Sequence, residues 1–146
     1  MTASGSLAVL PVALPSTEFE VTMQRIEDYV QAIGDENPRY RRVGRDASAA
    51  AVPPGFAAAF MQGPVRRLFD DDKALAELGI DGNRVVFGEV TYTYHDKVRP
   101  GDWVSVDGAL VGRAVKGTRE VLTFETCAST DRCANAVSAQ IVFVRL

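Results

Sequence analysis

The chain has 146 residues, of which 24% are charged and 47% hydrophobic, a length and balance typical of one globular domain. Its net charge of −3 argues against nucleic acid as a partner, because nucleic-acid binding needs a basic surface. No apolar run reaches the ~18 residues of a membrane-spanning helix. The apolar Leu7–Leu14 segment is interrupted by Pro11 and follows no basic region, so we expect a cytoplasmic protein without an export signal.

The cysteine and histidine content argues against metal chemistry. Cys127 and Cys133 flank a turn-like segment, where a disulfide would close a hairpin, but without an export signal two free thiols are expected. With one histidine and no Cys-x-x-Cys motif, a zinc site has too few ligands. We therefore predict neither a metal nor a cofactor.

Residues 1–16 are interpreted as a flexible lead-in, and residues 17–146 as a single domain. The alternation in Thr17–Val21 predicts a short strand. Thr22 can then cap a helix that ends at Gly34, and apolar side chains recur at helical spacing between them: Met23, Ile26, Tyr29, Val30 and Ile33. A loop rich in turn-forming residues follows this helix.

The segment Val52–Phe69 predicts a central helix that begins after Pro53-Pro54-Gly55. Its apolar and small residues lie on several faces, which is typical of a helix surrounded by protein. The small residues of Ala57–Ala59 would let a strand backbone or an acyl chain approach closely. Gly63-Pro64 predicts a kink, because proline removes a helical hydrogen bond and clashes with the preceding turn.

The second half of the chain predicts strands. After a short helix over Lys73–Leu78, stopped by Gly79, Val, Thr, Phe and Tyr become frequent between turns that contain glycine and proline. Four long strands are expected at Val85–Tyr94, Trp103–Val111, Glu120–Cys127 and Val137–Val144. Together with the first short strand they make a five-stranded antiparallel sheet wrapped around the buried central helix, an α+β domain.

Several motifs in this order resemble the MaoC-like hot-dog family, which includes the (R)-specific enoyl-thioester hydratases and 3-hydroxyacyl-thioester dehydratases. The resemblance covers about Phe19–Leu146 and depends on three motifs: Gly34–Pro38, Pro54–Phe56 and Val98–Asp102. The segment from Gly79 through Arg84–Glu89 to Tyr94-His95 resembles more narrowly the N-terminal-type unit of two-part bacterial dehydratases. The resemblance implies a hot-dog fold and an acyl-thioester substrate.

One position of the implied active site differs from active members. Their Asp-x-Asn-Pro motif continues to a histidine two residues past the proline, and the aspartate and histidine together handle the water and the α-proton. Here Asp35, Asn37 and Pro38 match, but Tyr40 occupies the histidine position. Since a tyrosine with a pKa near 10 is a poor base at neutral pH, the usual pair is incomplete.

The candidate catalytic residues are Asp35, Tyr40 and His95, and each has a second interpretation. Asp35 can serve the site or only cap backbone amides after Gly34. Tyr40 can donate to a carbonyl oxygen or only fill the vacated pocket. His95 can be a substitute base, or a structural or dimer-facing residue. For Tyr92 and Tyr94, which share a strand face, core packing is expected.

The candidate substrate-binding residues lie in two segments. At the start of the central helix, the free amides around Gly55 and Phe56 can hold a carbonyl oxygen, or Gly55 merely permits a tight helix start. The arginines beside the motif loop suit the phosphates of coenzyme A or an acidic carrier protein, or are simply solvated. The full set is Asn37, Arg39, Arg41, Arg42, Gly55, Phe56 and Ala58, with Arg45 in the same arginine cluster.

Three functions remain open. In the first, this chain is the partner subunit of a heterodimeric dehydratase or hydratase, a hydro-lyase complex in which a histidine-bearing hot-dog subunit performs the chemistry on an acyl-CoA or acyl carrier protein thioester. In the second, it is a homodimeric dehydratase or cyclase of polyketide or other secondary metabolism that employs Asp35, Tyr40 and His95. In the third, it binds acyl thioesters without catalysis. Pairing of two units is expected in each because a single curved sheet leaves an open edge.

Overall fold

The fold is an antiparallel sheet with helices on one face, and a computed structural model describes it through residues 9–41 and 50–146. Its strands are β1 (Val12–Ala13), β2 (Thr17–Glu20), β3 (Val85–Tyr94), β4 (Trp103–Lys116), β5 (Arg119–Ser129) and β6 (Val137–Arg145). Their order is β1-β4-β5-β6-β3, and β2 also pairs with β4. The predicted α+β class is confirmed.

The strands differ from the prediction in number and length. Val12–Ala13 lies in the segment interpreted as a lead-in, yet it pairs with Leu110 and Ala109 and adds a sixth strand to the described sheet. β4 continues to Lys116, five residues beyond the predicted end at Val111, because it stays paired with β5 as far as the turn at Gly117. Both differences arise from pairing partners that local sequence does not reveal.

Capping residues mark both ends of two helices: the first is capped as predicted, whereas the helix that follows the central one begins one residue before the predicted Lys73 and is stopped by the predicted Gly79. In α1 (Met23–Ile33), the Thr22 hydroxyl accepts the Arg25 N–H at 3.1 Å, and Gly34 closes the helix with φ +71°. In α4 (Asp72–Leu78), the Asp71 carboxylate accepts the Ala74 N–H at 3.1 Å, and Gly79 has φ +69°. A left-handed residue after the last turn favours glycine, since other residues are strained there.

The central helix consists of a 3₁₀ turn (Pro54–Ala57), α2 (Ala58–Met61) and α3 (Gly63–Phe69). The break at Gln62 confirms the kink predicted from Gly63-Pro64. One side of the helix is buried against the sheet through residues that include Phe56, Phe60, Val65 and Leu68.

The opposite side of the central helix is open in the single chain, which corrects the expectation of protein on every side. Pro54, Gly55, Ala58 and Ala59 are exposed. Because these residues are small, this face exposes little apolar area. It can therefore remain uncovered by other segments of the same chain.

Aromatic rings fix the start of the central helix. The Phe56 ring lies 5.5 Å from that of Tyr29 on α1 and 6.0 Å from that of Phe19 on β2, both in edge-to-face geometry. Phe56 is 1% exposed, so the first turn of the helix is anchored in the core. Cys127 and Cys133 are free thiols, as predicted.

Candidate active site

A cavity of about 1020 Å³, called here the large cavity, lies where three segments meet. These segments are the 3₁₀ turn Pro38–Tyr40, the start of the central helix, and the connection that leaves the end of β3. Its apolar walls are Ala50, Ala51, Val52, Pro53, Pro54, Ala57, Phe60, Val98 and Val137. Its polar and charged walls are Arg39, Tyr40, Tyr94, His95, Asp96, Lys97 and Arg99.

Tyr40, at the position of the missing histidine, lines the large cavity. The turn that carries it is formed locally, because the Asn37 side chain accepts the Arg39 N–H at 3.1 Å and the Tyr40 N–H is bonded to the Asn37 carbonyl at 3.2 Å. The Arg39 guanidinium lies 5.8 Å from the centroid of the Tyr40 ring. Asn37 therefore acts here as a capping residue and does not itself line the cavity.

Asp35 does not line the large cavity. It borders a smaller depression of about 480 Å³, together with Gly34, Tyr40 and Arg41. Its carboxylate accepts the Asn37 N–H at 2.9 Å, which is the backbone-capping role considered above. Tyr40 thus lines both spaces, whereas Asp35 lines only the smaller one.

His95 belongs to the wall of the large cavity, but its imidazole has a partner outside it. Nε2 lies 3.3 Å from the Ser138 hydroxyl oxygen. Ser138 alternates with the buried Val137 and Ala139, so its side chain is on the outer face of the sheet. The structure therefore brings His95 and Tyr40 to one cavity without placing Asp35 against the imidazole.

Tyr94 is a site residue that sequence analysis missed. It shares a strand face with Tyr92, as expected, but it is 46% exposed and lines the large cavity. Its hydroxyl donates to the Pro54 carbonyl at 2.5 Å, and burial raises its pKa. Tyr94 is therefore a protonated hydrogen-bond donor at neutral pH. The sequence feature that could have identified Tyr94 is its position immediately before His95.

The three candidates on the central helix lie outside the large cavity. The Phe56 side chain is in the core, so it anchors the helix and does not present a binding surface. Gly55 is required by close approach, because a Cβ there would lie 2.4 Å from the Tyr29 hydroxyl oxygen. Ala58 is exposed on the open face of the helix. The structure thus supports the tight-helix-start interpretation of Gly55.

The cationic residues at the large cavity come from two distant segments. Arg39 lines it beside Lys97 and Arg99, which lie in the connection between β3 and β4. Arg41 borders the smaller depression instead, and Arg42 and Arg45 lie outside the described residues. Sequence analysis did not select Lys97 or Arg99, since nothing local relates them to Arg39.

The polar wall of the large cavity consists mostly of side chains that can donate hydrogen bonds. Asp96 is the one carboxylate among its described lining residues, and its Oδ1 accepts the Lys97 N–H at 2.8 Å. Within residues 9–41 and 50–146, no group of three or more His, Cys, Asp or Glu side chains is placed to hold a metal ion. None of the helices in these ranges has the length and apolar character needed to cross a bilayer. The arrangement favours binding of oxygen acceptors and anions.

Comparison with known proteins identifies the family. Residues 12–137 match the family described as "FAS1-like, dehydratase domain region". The chain belongs to this family. It is also 34% identical over 110 residues to a UPF0336 protein of Parafrankia sp. (strain EAN1pec), a match that covers 71% of this chain and 69% of that protein. A further UPF0336 protein, from Streptomyces coelicolor, is 30% identical to this chain, and the match covers 64% of the length of that protein.

Solved structures confirm that this chain has the MaoC-like hot-dog fold. The HadBC (3R-hydroxyacyl-ACP dehydratase) complex of Mycobacterium tuberculosis contains a chain that superimposes with a TM-score of 0.74 at 12% identity, covering 95% of this chain and 98% of that one. A MaoC-like dehydratase from Rhodospirillum rubrum gives a TM-score of 0.69 at 16% identity, with 100% and 97% covered.

Proposed function

We propose that this chain is an acyl-thioester-binding subunit of a MaoC-like dehydratase or hydratase that acts on 3-hydroxyacyl or enoyl thioesters. A partner hot-dog subunit would supply the catalytic histidine. The observation that carries the proposal is the composition of the large cavity, which places Tyr40 where active members have histidine and keeps Asp35 outside. Such a cavity can hold an activated acyl group, but it lacks the usual pairing of aspartate and histidine for handling the water and the α-proton.

The available donors fit the binding role. Hydration or dehydration of a thioester develops negative charge on the thioester oxygen, and fixed donors stabilise that charge. The Tyr40 hydroxyl and the cationic side chains of Arg39, Lys97 and Arg99 are the available donors of the cavity wall, whereas the Tyr94 hydroxyl already donates to the Pro54 carbonyl. The apolar residues at the start of the central helix would hold the acyl chain.

An exposed sheet edge supports the need for a partner. β3 has ten residues and pairs only with β6 among the described strands. Val86 and Phe87 on this edge are 46% and 50% exposed. A long open edge of this kind favours pairing with another chain. The HadBC neighbour is itself a complex.

The test compares the purified chain alone with the chain mixed with a histidine-bearing hot-dog subunit. Crotonyl-CoA and longer enoyl thioesters are the substrates, and loss of the enoyl absorbance is the readout. We expect thioester binding but no turnover by the chain alone, and turnover when the partner is added. Tyr40→Phe in the complex should raise KM while leaving the partner's chemistry in place.

One result would replace this proposal with the homodimeric enzyme. Because Tyr40 and His95 line the same cavity, the isolated chain has the residues for altered chemistry. Turnover by the chain alone that disappears in Asp35→Asn or His95→Ala would overturn the partner-subunit function. Ser138→Ala serves as the control for His95, since it removes the hydroxyl partner of the imidazole and leaves the ring.

A further inference from the structure

The connection between β3 and β4 is held by a side chain from the turn between β5 and β6. The two terminal nitrogens of Arg132 each lie 2.7 Å from an oxygen of the Asp102 carboxylate, and Nη2 also donates to the Lys97 carbonyl at 3.4 Å. The same carboxylate accepts the Arg99 N–H at 2.8 Å. One bidentate pair therefore holds the backbone at both Lys97 and Arg99.

The carboxylate at the centre of this pair is itself firmly placed. The Asp102 side chain is 9% exposed, and its backbone carbonyl accepts the Val21 N–H at 2.8 Å. Burial opposes ionisation of Asp102, but the hydrogen bonds from Arg132 and from the Arg99 N–H outweigh it and keep the pKa below its usual value. The pair of Asp102 and Arg132 stays charged at neutral pH. The hydrogen bonds that hold the connection at Lys97 and at Arg99 are therefore both kept.

This connection carries two of the cations of the large cavity. Lys97 and Arg99 lie across from Arg39, and Asp96 is the one opposing carboxylate among the described lining residues. The chain as a whole has a net charge of −3, so the positive charge at this cavity is local. The cavity also has apolar walls, and its volume of about 1020 Å³ is at the upper end for small-molecule sites.

We propose that Arg39, Lys97 and Arg99 form a rim that binds the phosphate of a phosphopantetheine arm, and that Arg132 positions this rim through Asp102. The inference rests on the proposed thioester-binding function and extends it to the group that carries the thioester. Coenzyme A and acyl carrier protein both present this phosphate. Arg132 touches no ligand and is a positioning residue.

The test uses two ligands that differ only in the phosphate, S-butyryl phosphopantetheine and S-butyryl pantetheine, titrated calorimetrically into the full chain. We expect the phosphorylated ligand to bind roughly tenfold more tightly at low salt, with the ratio falling as ionic strength rises. The double variant Lys97→Ala/Arg99→Ala should bring the ratio close to one and leave the affinity for butyryl pantetheine unchanged. Both side chains are exposed, so the fold should tolerate the change.

A matched ion pair provides the control for the positioning role. Arg113 also makes two hydrogen bonds to a carboxylate, each of 3.0 Å to Glu120, but neither residue lines the large cavity. Arg132→Lys should lower the phosphate preference severalfold, because lysine cannot reproduce the bidentate geometry, whereas Arg113→Lys should leave it unchanged. An equal effect of both substitutions would overturn the positioning role.

The remaining outcomes separate this inference from the proposed function. If both ligands bind and the double variant keeps the phosphate preference, the rim is refuted and thioester binding stands. If neither ligand binds the unaltered chain, the proposed function fails, and the inference fails with it. Titrating the same variants with butyryl-CoA and with butyryl carrier protein identifies the source, since only the carrier whose phosphate meets the rim loses affinity.

Discussion

Gly108 on β4 lies where the central helix packs closely on the sheet, and Gly108→Ala tests that approach. A Cβ at this position would lie 2.9 Å from Pro64 Cβ and 3.1 Å from Thr126 Cγ2. Pro64 is on α3 and buried, so it has no space into which to withdraw. The substitution must push the helix from the sheet or bend the strand.

The expected loss of stability follows from a comparison with Gly112 on the same strand. At Gly112 an added Cβ would meet Thr123 Cβ at 3.4 Å, an ordinary contact. Both substitutions restrict the unfolded chain and gain about 0.4–1 kcal/mol from that effect, so it cancels between them. Overpacking a core contact costs about 1–3 kcal/mol. We therefore expect Gly108→Ala to be less stable than Gly112→Ala by about 1–3 kcal/mol.

Urea denaturation followed by circular dichroism measures this difference, and thermal melting should show a Tm gap of about 3–9 °C. The comparison also bears on the site, because α2, which continues into α3, carries the Phe60 wall of the large cavity. Equal stability of the two alanine variants would refute the close approach and with it the placement of α3 against β4.

Three further predictions concern stability. Thr126→Val should stabilise the chain by about 1 kcal/mol in urea denaturation, because the buried Thr126 hydroxyl has no hydrogen-bond partner among the described residues; a loss of stability would reveal a partner. Hydrogen bonds from Arg113 outweigh burial and lower the pKa of Glu120, so its stabilisation is present above the usual glutamate pKa and is lost as the pH falls through the lowered value. Glu120→Gln should therefore reduce stability at pH 7, and the gap should close below about pH 4. Thr22→Ala should cost about 1 kcal/mol by removing the cap on the Arg25 N–H, which helical circular dichroism and urea melts together would report.

The parts of the fold that depend on neighbouring residues were predictable from the sequence. Thr22 and Gly34 mark the ends of α1, and the break at Gln62 follows from Gly63-Pro64, because caps and proline kinks involve groups within four residues of one another. Strand pairing is different. β1 at Val12–Ala13 was missed because its partner, Leu110, is far along the chain.

The candidate site divides in the same way. The Asp-x-Asn-Pro pattern and the tyrosine at position 40 are visible in the sequence, and so is the absence of the usual histidine. The tertiary structure decides which of these residues line the same cavity, because the cavity forms where distant strands and turns meet. The structure places Tyr40 with Tyr94 in the large cavity, whereas Asp35 borders the smaller depression.

The sequence alone therefore determined the family, the ends of α1 and the absence of the usual histidine. Only the tertiary structure decided that Lys97 and Arg99 join Arg39 around one cavity, and that the imidazole of His95 turns toward Ser138. Local patterns report hydrogen bonds and sterics between near neighbours, whereas a binding site is assembled by contacts between distant segments whose closure the whole core must stabilise.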